Sequence, residues 1–287
     1  MWQLTTIDKA EIEFMDQGTG TPITFVHGGM AEECRTIVNE PALAPFRIIH
    51  FHRRGYGRSS LPAAPVSVER NAADCIDLLR QRSVSTTHLV GQSYGGVIAL
   101  QIAKDAPELV HSLTLLEPPL PFLIPSFPDF AGALERAAKL YFGGDKAGAM
   151  RTFATAVVGD TAPCEILAQF EAEYLERWLE DADALFRSDI PALQLWGFAE
   201  DKLAEIEQPV LNIRGENTPP FFGHVYLTLQ KRLPHCESLM VPGASHALHQ
   251  MAPRVVAQRI AEFVHGHASE EHGRAHSFTK GAPGSTT

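Results

Sequence analysis

The chain has 287 residues, 45% hydrophobic and 20% charged, with a formal net charge of −10. That is enough chain to bury a core without disulfide or metal staples, and it fits one α/β domain with an insertion better than two domains. The negative charge argues against nucleic acid and anionic membranes as partners, because the electrostatic term would repel them.

The first residues lack a basic region followed by an apolar run, so no signal peptide is expected. No run of about 18 apolar residues predicts a membrane span. The four cysteines (Cys34, Cys75, Cys164 and Cys236) are scattered, without C-x-x-C or Cys/His zinc spacing. Reduced thiols in a cytoplasmic protein, with no metal site, are the expectation.

In chain order, strands are predicted near 2–7, 10–15, 23–26 and 46–51. The loops His27-Gly28-Gly29-Met30 and Arg54-Gly55-Tyr56-Gly57-Arg58-Ser59 follow the third and fourth. A helix over 67–82 places Val68, Ala72, Cys75, Ile76 and Leu79 on one face. A strand at 87–91 runs into Gly91-Gln92-Ser93-Tyr94-Gly95, and a helix over 94–105 runs out of it. Strand, G-x-S-x-G, helix is the setting of a nucleophile elbow, in which a serine sits on a strained turn. Flanking glycines are needed there because a Cβ would collide with the adjoining strand and helix.

A strand at 111–116 ends at Glu117-Pro118-Pro119. From 118 to 206 the strand pattern stops, and helices are expected near 130–142, 145–157, 164–179 and 192–204. Leu167, Phe170, Tyr174 and Trp178 share a stripe that reads as helix packing. The acidic residues around it (Glu171, Glu173, Glu176, Glu180, Asp181 and Asp183) read as a solvated face. Alternation resumes with a strand at 209–214, a helix over 221–233, a strand at 238–241 and a helix over 252–265. Residues 266–287 read as a disordered tail; its His267, His272 and His276 make a weak metal-binding candidate. Strands alternating with helices imply a mostly parallel, doubly wound sheet. The helical block would then cap the strands' C-terminal ends, above a substrate crevice. The expected division is a core of 1–117 and 207–265, a cap of 118–206 and the tail.

Five pieces in order carry a resemblance to the α/β-hydrolase family over roughly 10–265. They are His27-Gly28-Gly29, Arg54-Gly55-Tyr56-Gly57-Arg58-Ser59, the elbow around Ser93, Pro209-Val210-Leu211, and Pro242-Gly243-Ala244-Ser245-His246. The resemblance implies a nucleophile at Ser93 and a base at His246. A serine hydroxyl needs a base within hydrogen-bond reach, and imidazole suits neutral pH. His249, three residues on, is the rival base. His50, His52, His88 and His111 lie in or beside strands and read as structural. Oxyanion donors are expected from the Tyr94 and Gly29 N–H groups, with Met30 next in line.

The acid departs from the usual pattern. It commonly sits after the strand that begins at Pro209, where this chain has Thr218, which cannot be a carboxylate. Glu216 in that loop and Glu117 after the earlier strand remain as alternatives. Glu117 is preferred, because its spacing from Ser93 resembles that in haloalkane dehalogenases and zearalenone-lactone hydrolases. The Thr218-Pro219-Pro220-Phe221-Phe222 segment also looks like that of the lactone hydrolases. A serine nucleophile sets aside dehalogenase and epoxide hydrolase chemistry, which needs a carboxylate.

The expectation is a cofactor-independent serine hydrolase acting on a small to medium apolar ester or lactone. Leu123, Phe127, Phe130, Trp178 and Trp196 are candidate wall residues. A carbon–carbon bond hydrolase or a perhydrolase on the same triad, or a non-catalytic ligand receptor on this fold, are the alternatives. Nothing in the sequence addresses oligomeric state.

Overall fold

A tight hairpin opens the chain: β1 (Gln3–Ile7) turns into β2 (Ala10–Gln17) through Asp8 and Lys9. Both turn residues have positive φ, 42° and 64°, as a two-residue hairpin turn requires. The structure, a computed structural model, describes residues 1–159 and 176–268. The remaining strands are β3 (Pro22–Val26), β4 (Arg47–Phe51), β5 (Thr87–Gln92), β6 (Val110–Leu116), β7 (Val210–Gly215) and β8 (Cys236–Val241). They form one eight-stranded sheet in the order β1-β2-β4-β3-β5-β6-β7-β8. The pairs β1/β2 and β2/β4 are antiparallel, and every other pair is parallel.

Helices cover both faces of this sheet. The longer ones are α1 (Val68–Gln81), α2 (Tyr94–Asp105), α3 (Pro128–Phe142), α4 (Lys146–Val158), α5 (Pro220–Arg232) and α6 (Pro253–Ala268). α1 is capped by Ser67, whose side chain accepts the Arg70 N–H. Its predicted face, Val68, Ala72, Cys75, Ile76 and Leu79, is buried throughout. Successive residues of the central strands point to opposite faces. Leu89, Leu115 and Val210 join one core with α1, α2 and α5; Val90, Leu116 and Leu211 join another with α6. Both faces are therefore apolar, as a covered parallel sheet requires.

Between β6 and β7 the described residues contain no strand. α3 and α4 pack there against a helical stretch at 176–184, around Tyr141, Met150, Trp178 and Phe186. This is the helical cap.

Four expectations need correction. The helix expected at 192–204 is a π-helical turn at Leu185–Asp189, a short helix Ile190–Leu195 and a 3₁₀ segment Glu200–Glu205. Gly197 interrupts it, and Trp196 and Phe198 are both buried, with rings stacked 4.5 Å apart. Asp181 is buried, not solvated. α6 runs to Ala268, past the predicted end at 265. The His267 ring Nδ1 donates to the Phe263 carbonyl at 2.8 Å. Of the proposed wall residues, only Phe130 lines the cavity of about 450 Å³ that Ser93 also borders. Trp196 instead donates from its indole to Gln101 in the core, at 2.8 Å.

The expected helix at 164–179 lies outside the described residues up to 175, with Leu167, Phe170, Tyr174, Glu171, Glu173 and Cys164. So do residues 269–287 of the tail, including His272 and His276. Cys34, Cys75 and Cys236 are free thiols, and the first two are buried. Among the described residues no helix is long and apolar enough to cross a membrane.

Candidate active site

Parallel register brings the first two site residues together. Gln92 of β5 pairs with Leu116 of β6, so Ser93 and Glu117 leave the sheet side by side at its C-terminal edge. Ser93 has φ 50° and ψ −123°, a conformation that non-glycine residues avoid and that functional turns retain. Its neighbours leave no room for side chains. A Cβ on Gly95 would lie 2.0 Å from the Val26 carbonyl oxygen, and one on Gly91 would lie 2.5 Å from that of Gly95. Glu117 is also at positive φ, 48°, which turns its side chain back over the sheet edge toward β7.

His246 stands in the loop after β8 and spans the two. Its Nε2 lies 3.2 Å from Ser93 Oγ, and its Nδ1 lies 2.7 Å from Glu117 Oε2. The ring stacks on Phe222, centroids 4.1 Å apart, so packing and hydrogen bonding both orient it. Glu117 accepts two further bonds, from the Gly215 N–H at 2.8 Å and from the Thr218 hydroxyl at 2.9 Å. Thr218, at the position where an acid was expected, thus serves as a donor to the acid from the neighbouring strand. Glu216 points elsewhere and accepts the Gly243 N–H at 2.9 Å. His249 is buried and hydrogen-bonded to the Gln92 amide, and burial pushes its pKa down to about 3.

The loop after β3 is held from several sides. Glu33 accepts the Gly28 N–H at 2.8 Å, and Asp181 of the cap accepts that of Ala31 at 3.0 Å. Burial raises both acids, Glu33 to about 8 and Asp181 to about 7, against the pull of those amides. With these two N–H groups occupied, the Gly29 and Met30 N–H groups are among the loop's remaining donors. Gly29 and Ser93 line the same cavity, and Tyr94 sits at the N-terminus of α2, where a backbone N–H has no intrahelical acceptor.

Above Ser93 lies a cavity of about 450 Å³, within the range of small-molecule sites. Its walls include Ile124, Phe130, Leu134, Phe153, Leu193 and Phe222. A smaller cavity of about 30 Å³, bordered by Trp178 and His249, adjoins Ser93 on the His246 side. His50, His52 and His88 are buried; burial pushes His50 and His88 down to about 3 and lowers His52. Among the described residues no group of three or more His, Cys, Asp or Glu is arranged to hold a metal ion.

Sequence reasoning missed Thr218 as a donor, and it missed Glu33, Arg53, Asp181 and Asp189 as buried partners of the loop. Each is a polar residue without periodic context, so composition could not separate it from surface.

A mostly parallel sheet with a helical cap over its C-terminal edge, and a serine on a strand-to-helix turn beneath, defines the class. The chain belongs to the α/β-hydrolase fold family, which it matches over residues 21–250. An esterase from Thermogutta terrifontis superposes with a TM-score of 0.77 at 19% identity, covering 93% of this chain and 99% of that one. Est816, described as an N-acyl homoserine lactone degrading enzyme, superposes with a TM-score of 0.71 at 22% identity, covering 91% and 100%. These likenesses show the fold. A Synechocystis sp. protein whose name assigns it provisionally to the non-heme chloroperoxidases is 31% identical over 121 residues, 40% of this chain and 42% of that relative. The stretches shared with four such curated relatives span between 26% and 42% of those relatives' lengths.

Proposed function

We propose that this protein is a serine hydrolase of carboxylic esters or lactones, working without a cofactor. The observation that carries the reading is His246, within hydrogen-bond reach of both Ser93 Oγ and Glu117 under an apolar cavity. Ser93 attacks the acyl carbon and His246 Nε2 takes its proton. Glu117 keeps the other imidazole proton on Nδ1 and balances the imidazolium charge. The Gly29 and Tyr94 N–H groups receive the oxyanion; one such donor is typically worth about 3 to 4 kcal/mol of barrier. His246 then returns its proton to the leaving alcohol, and water clears the acyl-enzyme by the same steps. The esterase and lactone-degrading enzyme among its structural neighbours agree with this reading at the level of fold.

Carbon–carbon bond hydrolysis and perhydrolysis use the same groups, and a ligand receptor would use the cavity alone. A fluorophosphonate probe and a panel of p-nitrophenyl esters and lactones separate these readings. Labelling of Ser93 with turnover of an ester or lactone is expected. Folded protein that neither labels nor turns over any of them would sink the hydrolase reading.

A further inference from the structure

The peptide joining Gly28 to Gly29 carries, at one end, the N–H assigned above to the oxyanion. At its other end is the Gly28 carbonyl, which accepts two hydrogen bonds. One comes from His27 Nδ1 at 3.0 Å and the other from Arg53 Nη2 at 2.6 Å. The network sets the His27 tautomer, because Nε2 accepts the Arg53 backbone N–H at 3.0 Å and the proton must sit on Nδ1. In a trans peptide the C=O and N–H point in opposite directions, so holding the carbonyl aims the N–H. A guanidinium on the carbonyl also draws charge from the amide and strengthens its N–H as a donor.

Arg53 is 1% exposed and needs a counter-charge in that position. Asp189, at the end of the π-helical turn of the cap, supplies it. Its two oxygens accept Nη1 at 2.8 Å and Nη2 at 2.7 Å. The Tyr56 hydroxyl donates to Asp189 at 2.7 Å and lies 3.3 Å from the Gly29 carbonyl oxygen. The same guanidinium lies 4.8 Å from the ring centroid of Tyr94, the residue that carries the second oxyanion N–H. Asp181, also from the cap, holds the Ala31 N–H further along the loop.

We propose that Arg53 and Asp189 are positioning residues for the oxyanion hole. The cap carboxylate holds the guanidinium that aims and polarises the Gly28–Gly29 amide, so the hole is complete only with the cap seated on the core. This rests on the hydrolase reading and on Gly29 as a donor.

The test compares an oxygen ester with the thionoester of the same acyl group, because sulfur accepts the hole's hydrogen bonds poorly. Asp189→Asn and Arg53→Met are each expected to lower kcat on the ester by about 10- to 100-fold, below the loss from deleting a donor outright. KM should stay within about threefold, and the ester-to-thionoester ratio should fall along with kcat. A packing role would lower both substrates equally and leave the ratio unchanged, which would overturn the proposal.

The double variant Arg53→Met/Asp189→Leu removes the pair together and keeps the site apolar, so it is informative even where a single variant does not fold. Expected is a thermal midpoint near wild type with kcat and the ratio still low. Recovery of both along with stability would overturn the proposal. Fluorophosphonate labelling of the wild type separates the two levels. No labelling overturns the hydrolase reading and this inference with it. Labelled wild type with wild-type turnover and ratio in the variants overturns this inference alone.

Discussion

Glu117→Gln tests the acid assignment most directly. The carboxylate accepts three hydrogen bonds, from the Gly215 N–H, the Thr218 hydroxyl and His246 Nδ1. The Gly215 amide can only donate, so the introduced amide oxygen must face it. The introduced NH₂ then faces Thr218 and His246. The Thr218 hydroxyl can turn to accept, but His246 must move its proton from Nδ1 to Nε2 to accept as well. That tautomer points an N–H at Ser93 and cannot take the serine proton. The equivalent acid-to-amide change in a serine protease triad costs about 10⁴ in kcat, or about 5 kcal/mol of barrier. The assay is kcat on the best p-nitrophenyl ester at neutral pH, with thermal melting to show that the variant is folded. Glu216→Gln is the control and should stay within about twofold, since its carboxylate serves the exposed Gly243 N–H. A Glu117→Gln enzyme with more than a tenth of wild-type turnover, or a crippled Glu216→Gln enzyme, would refute the reasoning.

Thr218→Val removes one neutral donor from Glu117 while keeping the side-chain shape. About a tenfold fall in kcat with little change in KM is expected, the scale of one hydrogen bond to a charged group; unchanged kinetics would mean that the Gly215 amide alone holds the acid. Ala138→Trp places a large ring in the 450 Å³ cavity. It should raise KM for longer acyl chains more than for acetate esters, and a uniform effect across chain lengths would place the acyl group elsewhere. Asp181 is raised to about 7 and Glu33 to about 8 by burial, so between pH 4 and those values the folded protein holds protons that the unfolded chain has lost. Their contribution to stability is full below about pH 4 and is lost as pH rises through 7 to 8. Asp181→Asn should therefore flatten the fall in melting temperature between pH 5 and 8, and a slope identical to wild type would count against the assignment.

Much of the architecture was legible because it rests on periodicity. Alternation of apolar runs marks the strands, and the face of Val68, Ala72, Cys75, Ile76 and Leu79 marks α1, because burial selects those positions directly. Ser93 was legible as a candidate because backbone geometry restricts the residues around it, and His246 through the resemblance carried by Pro242-Gly243-Ala244-Ser245-His246. Gly91 and Gly95 have no room for a Cβ, and that constraint leaves a mark in the letters. The break near Gly197 was less legible: a helix was expected over 192–204, and Gln101, the partner that receives the Trp196 indole N–H, lies 95 residues away in the chain.

The choice of acid was of a different kind. Glu117 and Glu216 were both chemically able, and local sequence left them as rivals. Register separates them: β6 lies between β5 and β7, so a residue just past Leu116 reaches both the Ser93 turn and the Gly215 amide, whereas Glu216 turns to Gly243. The same holds for the cap. Asp181 read as a surface charge and Asp189 carried no sequence signal, yet they lie against Ala31 and Arg53, residues more than a hundred positions earlier in the chain. Local constraints such as helix faces, tight turns and glycine contacts act between neighbours in the chain and so are written in it. The partner of a buried charge is chosen by which distant segments the fold brings within 3 Å, and no spacing of letters encodes that distance.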